Sequence, residues 1–388
     1  MTSVCIHNAT VLNGYTVMKN CAVLIKHHKI VDVFNESRFS QKKLPDNTFI
    51  IDAKGAFVAS GLIDTHIHGI KGYGTEDGNA KSILKMSEAL VKYGVTSFIP
   101  TLYTKSKDEM LRSIKAIVQA MGKETGARIL GMHLEGPFIS KDRLGVQKAE
   151  DVMPVDINLM QQFLDAAEGH IVNMTVAPEL KGMRELALYC VSKGIVLQAG
   201  HTNATYDQMV EGMQARILHV THLFNAMSRM HHRDPGAVGA VFIHPELSCE
   251  IIADGIHINP EIIKFLLSCK SLDKVVLVTD SLKPTRQKKG PLIANGEEVY
   301  FDTCFYRKSD NAIAGSGLTM IDCVKNIVSY GFHLDQAIHM ASTNPARIMK
   351  QEHLGLIAPG YDADIIILNE KCEVLYTIIQ GKIYQKGQ

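Results

Sequence analysis

Eight apolar, strand-like runs are spaced through the middle of this chain, with helix-like segments between them. The runs are Phe57 to His68, Val95 to Leu102, Arg128 to Glu135, Ile171 to Pro178, Ile195 to His201, Ile217 to His222, Cys249 to Asp254 and Lys274 to Asp280. Apolar spacing near 3.6 marks helical candidates at Lys81 to Lys92, Lys107 to Met121, Asn158 to Glu168, Met183 to Lys193 and Tyr206 to Met213. Such alternation predicts parallel βα units, and eight of them match a closed TIM-like (β/α)8 barrel of the α/β class.

At 388 residues the chain exceeds what one simple core needs, so a barrel plus a smaller unit is expected. Short β-rich runs, Val4-Cys5-Ile6, Thr10-Val11-Leu12, Cys21 to Ile25 and Ile30 to Val33, open the chain. The same texture returns at Ala363 to Leu368, Val374 to Ile379 and Lys382 to Tyr384. Residues 1–56 and 355–388 are therefore expected to build one small β-sandwich domain from both chain ends, and residues 57–354 the barrel. Residues 283–311 break the βα rhythm with Pro284, Lys288-Lys289-Gly290-Pro291 and Asn295-Gly296, which predicts a hairpin-like insertion. Helical texture resumes near Leu318.

Lys+Arg 41 against Asp+Glu 40 leaves a formal charge of +1, so no global field draws the molecule to nucleic acid or to an anionic membrane. Any anion recognition must be local. No apolar run reaches membrane-spanning length, and the start Met1-Thr2-Ser3-Val4-Cys5-Ile6-His7 lacks the basic-then-apolar pattern of a secretory leader. Eight scattered cysteines include no C-x-x-C, which fits reduced, buried thiols and a cytoplasmic location.

The first barrel run ends in His66-Ile67-His68, and alternation on a strand points both imidazoles the same way, able to grip one ion. Glu135, His201, His222 and Asp280 end four other runs. Singly, each has an ordinary reading as a hydrogen-bonded rim residue. Together they share one mouth of a barrel and supply imidazoles and carboxylates, the donor set of a hydrolytic divalent-metal site. His219, three residues before His222, is expected on the opposite face beneath a helix and is excluded as a ligand. His133 shares parity with Glu135 and is expected to point into the barrel one layer below the ligands.

The motifs His66-Ile67-His68-Gly69, His133-Leu134-Glu135-Gly136-Pro137-Phe138, Gly200-His201-Thr202, His222-Leu223-Phe224-Asn225-Ala226-Met227, Asp254-Gly255-Ile256-His257 and Thr279-Asp280 resemble the amidohydrolase superfamily. Within it they resemble the N-acetylglucosamine-6-phosphate deacetylases, and the resemblance runs nearly the length of the chain. It implies that Glu135, His201 and His222 hold the principal divalent metal. His66 and His68 imply a second ion, bridged by Glu135, so one or two ions per subunit are expected. Zinc or iron fits best, and manganese or cobalt also accepts such ligands. Asp280 is then the catalytic acid–base group, taking a proton from water and returning it to the departing amine.

The resemblance also implies a phosphosugar substrate contacted by Val146, Gln147, Asn225, Ala226, Arg233, the segment Asp254, Gly255, Ile256 and His257, and the loop Ile313, Ala314 and Gly315. Arg233 is expected to reach across from a second subunit, which implies a homodimer. Many family members carry a histidine where this chain has Gln147, so carbonyl polarisation here passes either to a neutral amide donor or to the second ion. Two other readings stay open at the sequence level: an amidohydrolase acting on a cyclic amide or another N-acetyl sugar phosphate, and a catalytically silent barrel.

Overall fold

The computed structural model describes residues 3–385, so the outermost residues of both expected terminal segments, 1–2 and 386–388, lie outside it. Ser3–Leu12 is the spine of an eight-stranded mixed sheet. It pairs antiparallel with Val17–Lys26 and parallel with both Phe49–Asp52 and Phe57–Ser60. Phe57–Ser60 also pairs antiparallel with Ile365–Leu368, so the two chain ends share one sheet. Alternating residues Val4, Ile6, Val23, Ile25, Val58, Ile365, Ile367 and Ile378 pack its core.

The run 57–68 is therefore two strands. Phe57–Ser60 belongs to the terminal sheet, and Leu62–Ile67 begins the barrel. The break falls at Gly61, where a Cβ would lie 2.1 Å from Thr96 Oγ1. The other barrel strands are Val95–Leu102, Met132–Glu135, Ile171–Val176, Val196–Ala199, His219–Val220, Ser248–Ile252 and Val275–Val278, in that spatial order. Strand one meets strand eight at the rim, where Asp280 N donates to His66 O at 2.9 Å and His68 N donates to Ser281 O at 3.0 Å.

Helices cover the barrel where apolar spacing predicts them. Ala80–Leu90 buries Ile83, Met86 and Leu90, and Lys107–Ala120 buries Met110, Ile114 and Ile117. Ile157–Ala167, Met183–Ser192 and Tyr206–Gln214 follow in turn. The 283–311 segment supplies the antiparallel strands Ile293–Ala294, Glu297–Phe301 and Phe305–Arg307, and Ile313–Gly315, just beyond it, completes the sheet. Its last strand hands the chain back to the barrel through Ser316 N, which donates to Asp280 O at 3.0 Å. No helix among the described residues is long and apolar enough to cross a membrane.

Arg128 joins the two units. Its guanidinium pairs with Asp362 at 3.1 Å and with the buried Asp364, and Lys29 meets Asp362 at 2.7 Å. Removing the guanidinium strands a buried carboxylate, so Arg128→Met is expected to cost about 2–3 kcal/mol, read as a lower midpoint in denaturant unfolding.

Candidate metal centre and active site

Three strands stop short of their functional residue in the same way. They end at Ala199, Val220 and Val278, and two residues later His201, His222 and Asp280 take φ of +46°, +26° and +46°. Positive φ in residues other than glycine costs roughly 1–3 kcal/mol and persists only where surrounding structure enforces it. Here it belongs to residues whose side chains all enter one mouth. It also overturns the expectation for His219. Strand parity is lost beyond Val220, so His219 faces inward, with Nδ1 2.7 Å from Ser248 Oγ and Nε2 3.9 Å from Glu250 Oε1. It sits outside both ligand clusters described below.

At the mouth, potential ligand atoms fall into two groups: His66, His68 and Asp280, and Glu135, His201 and His222. Glu135 spans them. Its Oε1 lies 3.1 Å from both His201 Nε2 and His222 Nε2 and 3.4 Å from His66 Nε2, and its Oε2 lies 3.4 Å from His68 Nε2. Asp280 Oδ1 lies 3.3 Å from His68 Nε2 and 3.6 Å from His66 Nε2. Gly136 follows Glu135 at φ +96°, and a Cβ there would come within 2.1 Å of Thr104 Oγ1, which donates to Glu135 O. Only glycine fits that turn.

Burial opposes charge throughout, yet the charges win. Glu135 would be pushed up by burial, but His66 and His201 hold it well below the usual carboxylate range. His66 is buried too, and Glu250 and Glu135 hold it well above its ordinary value. His68 moves up against burial through its bonds to Asp280 and Glu135. Asp280 moves down against burial through the His68 bond and the His66 charge. Among His66, His68, Glu135 and Asp280 the neighbours thus favour the charged forms over burial, and carboxylates set among imidazoles are a donor set a divalent cation can engage. The buried His66 Nε2 has no hydrogen-bond partner and faces both Glu135 and Asp280, so the donor set fits a cation.

Around this cluster lies an open cleft of about 540 Å³ lined by Val146, Gln147, Asn225, Ala226, His257, Ile313, Ala314 and Gly315 together with five of the six ligand candidates. His66 lies fully buried behind them. Asp254, Gly255 and Ile256 do not line it. Asp254 instead braces His257, accepting from the His257 backbone N–H at 2.8 Å and from Nδ1 at 2.6 Å. Arg233 is also outside the cleft of its own chain, exposed in a loop with Nη1 2.7 Å from His232 Nε2. No lysine or arginine is among the lining residues.

Gln147 is engaged at both ends. Its Nε2 donates to Glu135 Oε2 at 2.7 Å and its Oε1 accepts from Thr104 N at 3.1 Å. In this arrangement it orients the Glu135 carboxylate, with one amide hydrogen left for the cleft. His133 bridges Thr101 at 3.2 Å and Thr175 at 2.8 Å, and its ring stands edge-on to His66. Two residues escaped the sequence reading. Tyr103, just past the second strand, stacks on His68 at 3.7 Å, and Glu250 lies beneath His66 with Oε2 3.0 Å from Nδ1. A lone acid within the apolar run Cys249 to Asp254 was the available signal for Glu250.

Comparison with known proteins decides the family. The amidohydrolase family model matches residues 57–384. The chain belongs to that family. It is 32% identical over 387 residues to the N-acetylglucosamine-6-phosphate deacetylase of Bacillus subtilis, covering 98% of this chain and 97% of the relative. The solved structure of the Pasteurella multocida N-acetylglucosamine-6-phosphate deacetylase matches with a TM-score of 0.91 at 28% identity, covering 99% of this chain and 100% of that one. An aspartate-to-alanine variant of the Mycobacterium smegmatis enzyme, solved in complex with N-acetyl-D-glucosamine-6-phosphate, matches with a TM-score of 0.91 at 26% identity, covering 99% of each chain. Amidohydrolases generally depend on divalent metals, in accord with the two donor groups here.

Proposed function

We propose that this chain is a metal-dependent deacetylase that hydrolyses N-acetylglucosamine 6-phosphate to glucosamine 6-phosphate and acetate. The observation that carries the reading is the convergence of Glu135, His68, His201, His222 and Asp280 at one open cleft, with His66 buried directly behind them. Glu135, His201 and His222 would hold the principal ion, and His66 and His68, with Glu135 between the groups, would hold a second. A divalent cation bound there supplies Lewis acidity, polarising an acyl oxygen and lowering the pKa of water. Imidazole and carboxylate donors accept zinc or iron, and manganese or cobalt as well, so elemental analysis of the purified protein names the metal.

Asp280 does the proton work. It is held ionised by its neighbours, so it can accept a proton as water attacks the acetyl carbon. As the carbon–nitrogen bond breaks, the protonated carboxyl returns that proton to the leaving amine. Gln147 and Asn225 flank the ligands, Ile313 to Gly315 admit the sugar along a backbone edge, and Asp254 fixes the His257 ring at the cleft. The barrel, within 57–354, carries the reaction, and the sheet built from the two chain ends leads into its first strand through Phe57–Ser60. Free cysteines at all eight positions support a cytoplasmic setting.

The phosphate needs a cation that this cleft does not supply from its own lining. A second copy of the chain placing Arg233 over the cleft meets that need and makes the active form a homodimer. Arg233→Ala is expected to raise KM for the phosphorylated sugar about ten- to a hundredfold, the value of a charged, bidentate contact, with kcat little changed. Light scattering should give twice the 42.8 kDa chain mass. The whole reading is tested by acetate release from purified, metal-loaded protein. Turnover of N-acetylglucosamine 6-phosphate supports it, no turnover points to a silent barrel, and equal turnover without the phosphate defeats the substrate assignment.

A further inference from the structure

Glu250 occupies the middle of the seventh barrel strand, Ser248–Ile252, and is completely buried. Its side chain turns into the barrel, since Oε2 lies 3.0 Å from His66 Nδ1 and 3.3 Å from the backbone N of His222. The other oxygen, Oε1, has no hydrogen-bond partner and faces His219 Nε2 at 3.9 Å. Among the described residues no lysine or arginine pairs with it. Burying a carboxylate in such a place is costly unless its partners offset the lost hydration.

The Glu250 carboxylate engages the Nδ1 side of the His66 ring, with Oε2 3.0 Å from that nitrogen. That leaves Nε2 of His66, the buried nitrogen with no partner, turned toward Glu135 and Asp280. The same oxygen receives the N–H of His222, whose backbone is held at φ +26°. One side chain therefore touches a residue from each of the two donor groups, His66 from one and His222 from the other.

We propose that Glu250 is a positioning residue for the metal centre: from beneath, it fixes the His66 tautomer and ring and steadies the backbone of His222, so that both present Nε2 to the cation. Metal ligands that donate their second ring N–H to a carboxylate gain orientation and basicity, and losing that partner typically weakens metal binding ten- to a hundredfold. This inference rests on the metal-dependent reading above, and its test separates the two.

The test is the rate at which excess chelator strips metal from purified protein, followed by elemental analysis, in the parent, Glu250→Gln and Glu250→Leu. Glutamine keeps an acceptor oxygen and the side-chain size but loses the charge; leucine loses both. The expected result is metal loss about tenfold faster for Glu250→Gln and up to about a hundredfold faster for Glu250→Leu, with KM for the substrate within about twofold of the parent. A purely structural role would instead lower the unfolding temperature of the metal-free protein and leave the stripping rate unchanged. A folded variant that holds metal as long as the parent overturns the proposal, and if Glu250→Leu fails to fold, Glu250→Gln decides alone. A parent that binds no metal sinks the metal-dependent reading itself and is recognised before any variant is compared.

Discussion

Asp280→Asn is expected to lower kcat for acetate release by about a thousandfold, within the range attributed to a positioned general acid–base group, while the protein keeps its metal. Asparagine has the size of the aspartate and keeps a carbonyl oxygen to accept from His68, so the contact at 3.3 Å survives the exchange. What it loses is the ability to take a proton. On the mechanism proposed above, two transfers depend on that one group, from the attacking water and to the departing amine, so neither half of the hydrolysis would proceed by its ordinary route. Glu135, His201 and His222 do not need Asp280 to converge, since their atoms lie 3.1–3.2 Å apart through their own contacts. The measurement pairs steady-state kinetics with elemental analysis. Low kcat with parental metal content is the expected pattern, and a kcat within tenfold of the parent would remove Asp280 from the proton work.

Much of this geometry was readable before the structure because strand alternation and strand ends obey local rules. His66 and His68 share a face by simple period-two geometry, and the rings do converge, with centroids 5.4 Å apart. Glu135 ends its strand as the apolar run implies. The same counting failed for His219, because the chain leaves strand geometry after Val220 and His222 turns inward through a positive φ that no periodicity encodes. Gly61 hid a change of sheet inside one apolar run, since hydrophobicity reports burial and not which partner strand is met. Glu250 was passed over because its meaning lies in His66, 184 residues away in sequence and 3.0 Å away in space. Gln147 was read as a contact to substrate, and it does line the cleft; its bond to Glu135 Oε2 adds the part of a brace for a candidate ligand, visible only once the loop carrying it is folded over the mouth.

Glu135→Gln is expected to do what Asp280→Asn does not: abolish metal binding along with activity. Its two oxygens face different neighbours, imidazole nitrogens of His201, His222 and His66 around Oε1, and His68 with the amide of Gln147 around Oε2. A glutamine must put its NH2 group on one side. Toward Gln147 it sets donor against donor at 2.7 Å, and toward the histidines it aims hydrogens at the point where a cation must sit. Neither orientation serves both sides, and the negative charge that offsets burial of a divalent ion is gone as well. The loss in metal affinity should therefore exceed the roughly hundredfold ceiling for removing an outer partner, with deacetylation at background. Chelator supplies the second readout. A cation that binds only the folded state stabilises it in proportion to its occupancy, so stripping metal should lower the unfolding temperature of the parent and of Asp280→Asn but leave that of Glu135→Gln where it already stands. If Glu135→Gln retained metal and still answered to chelator, the carboxylate would not be the bridge between the two donor groups, and the ligands of His66 and His68 would have to form a site independent of the one at His201 and His222.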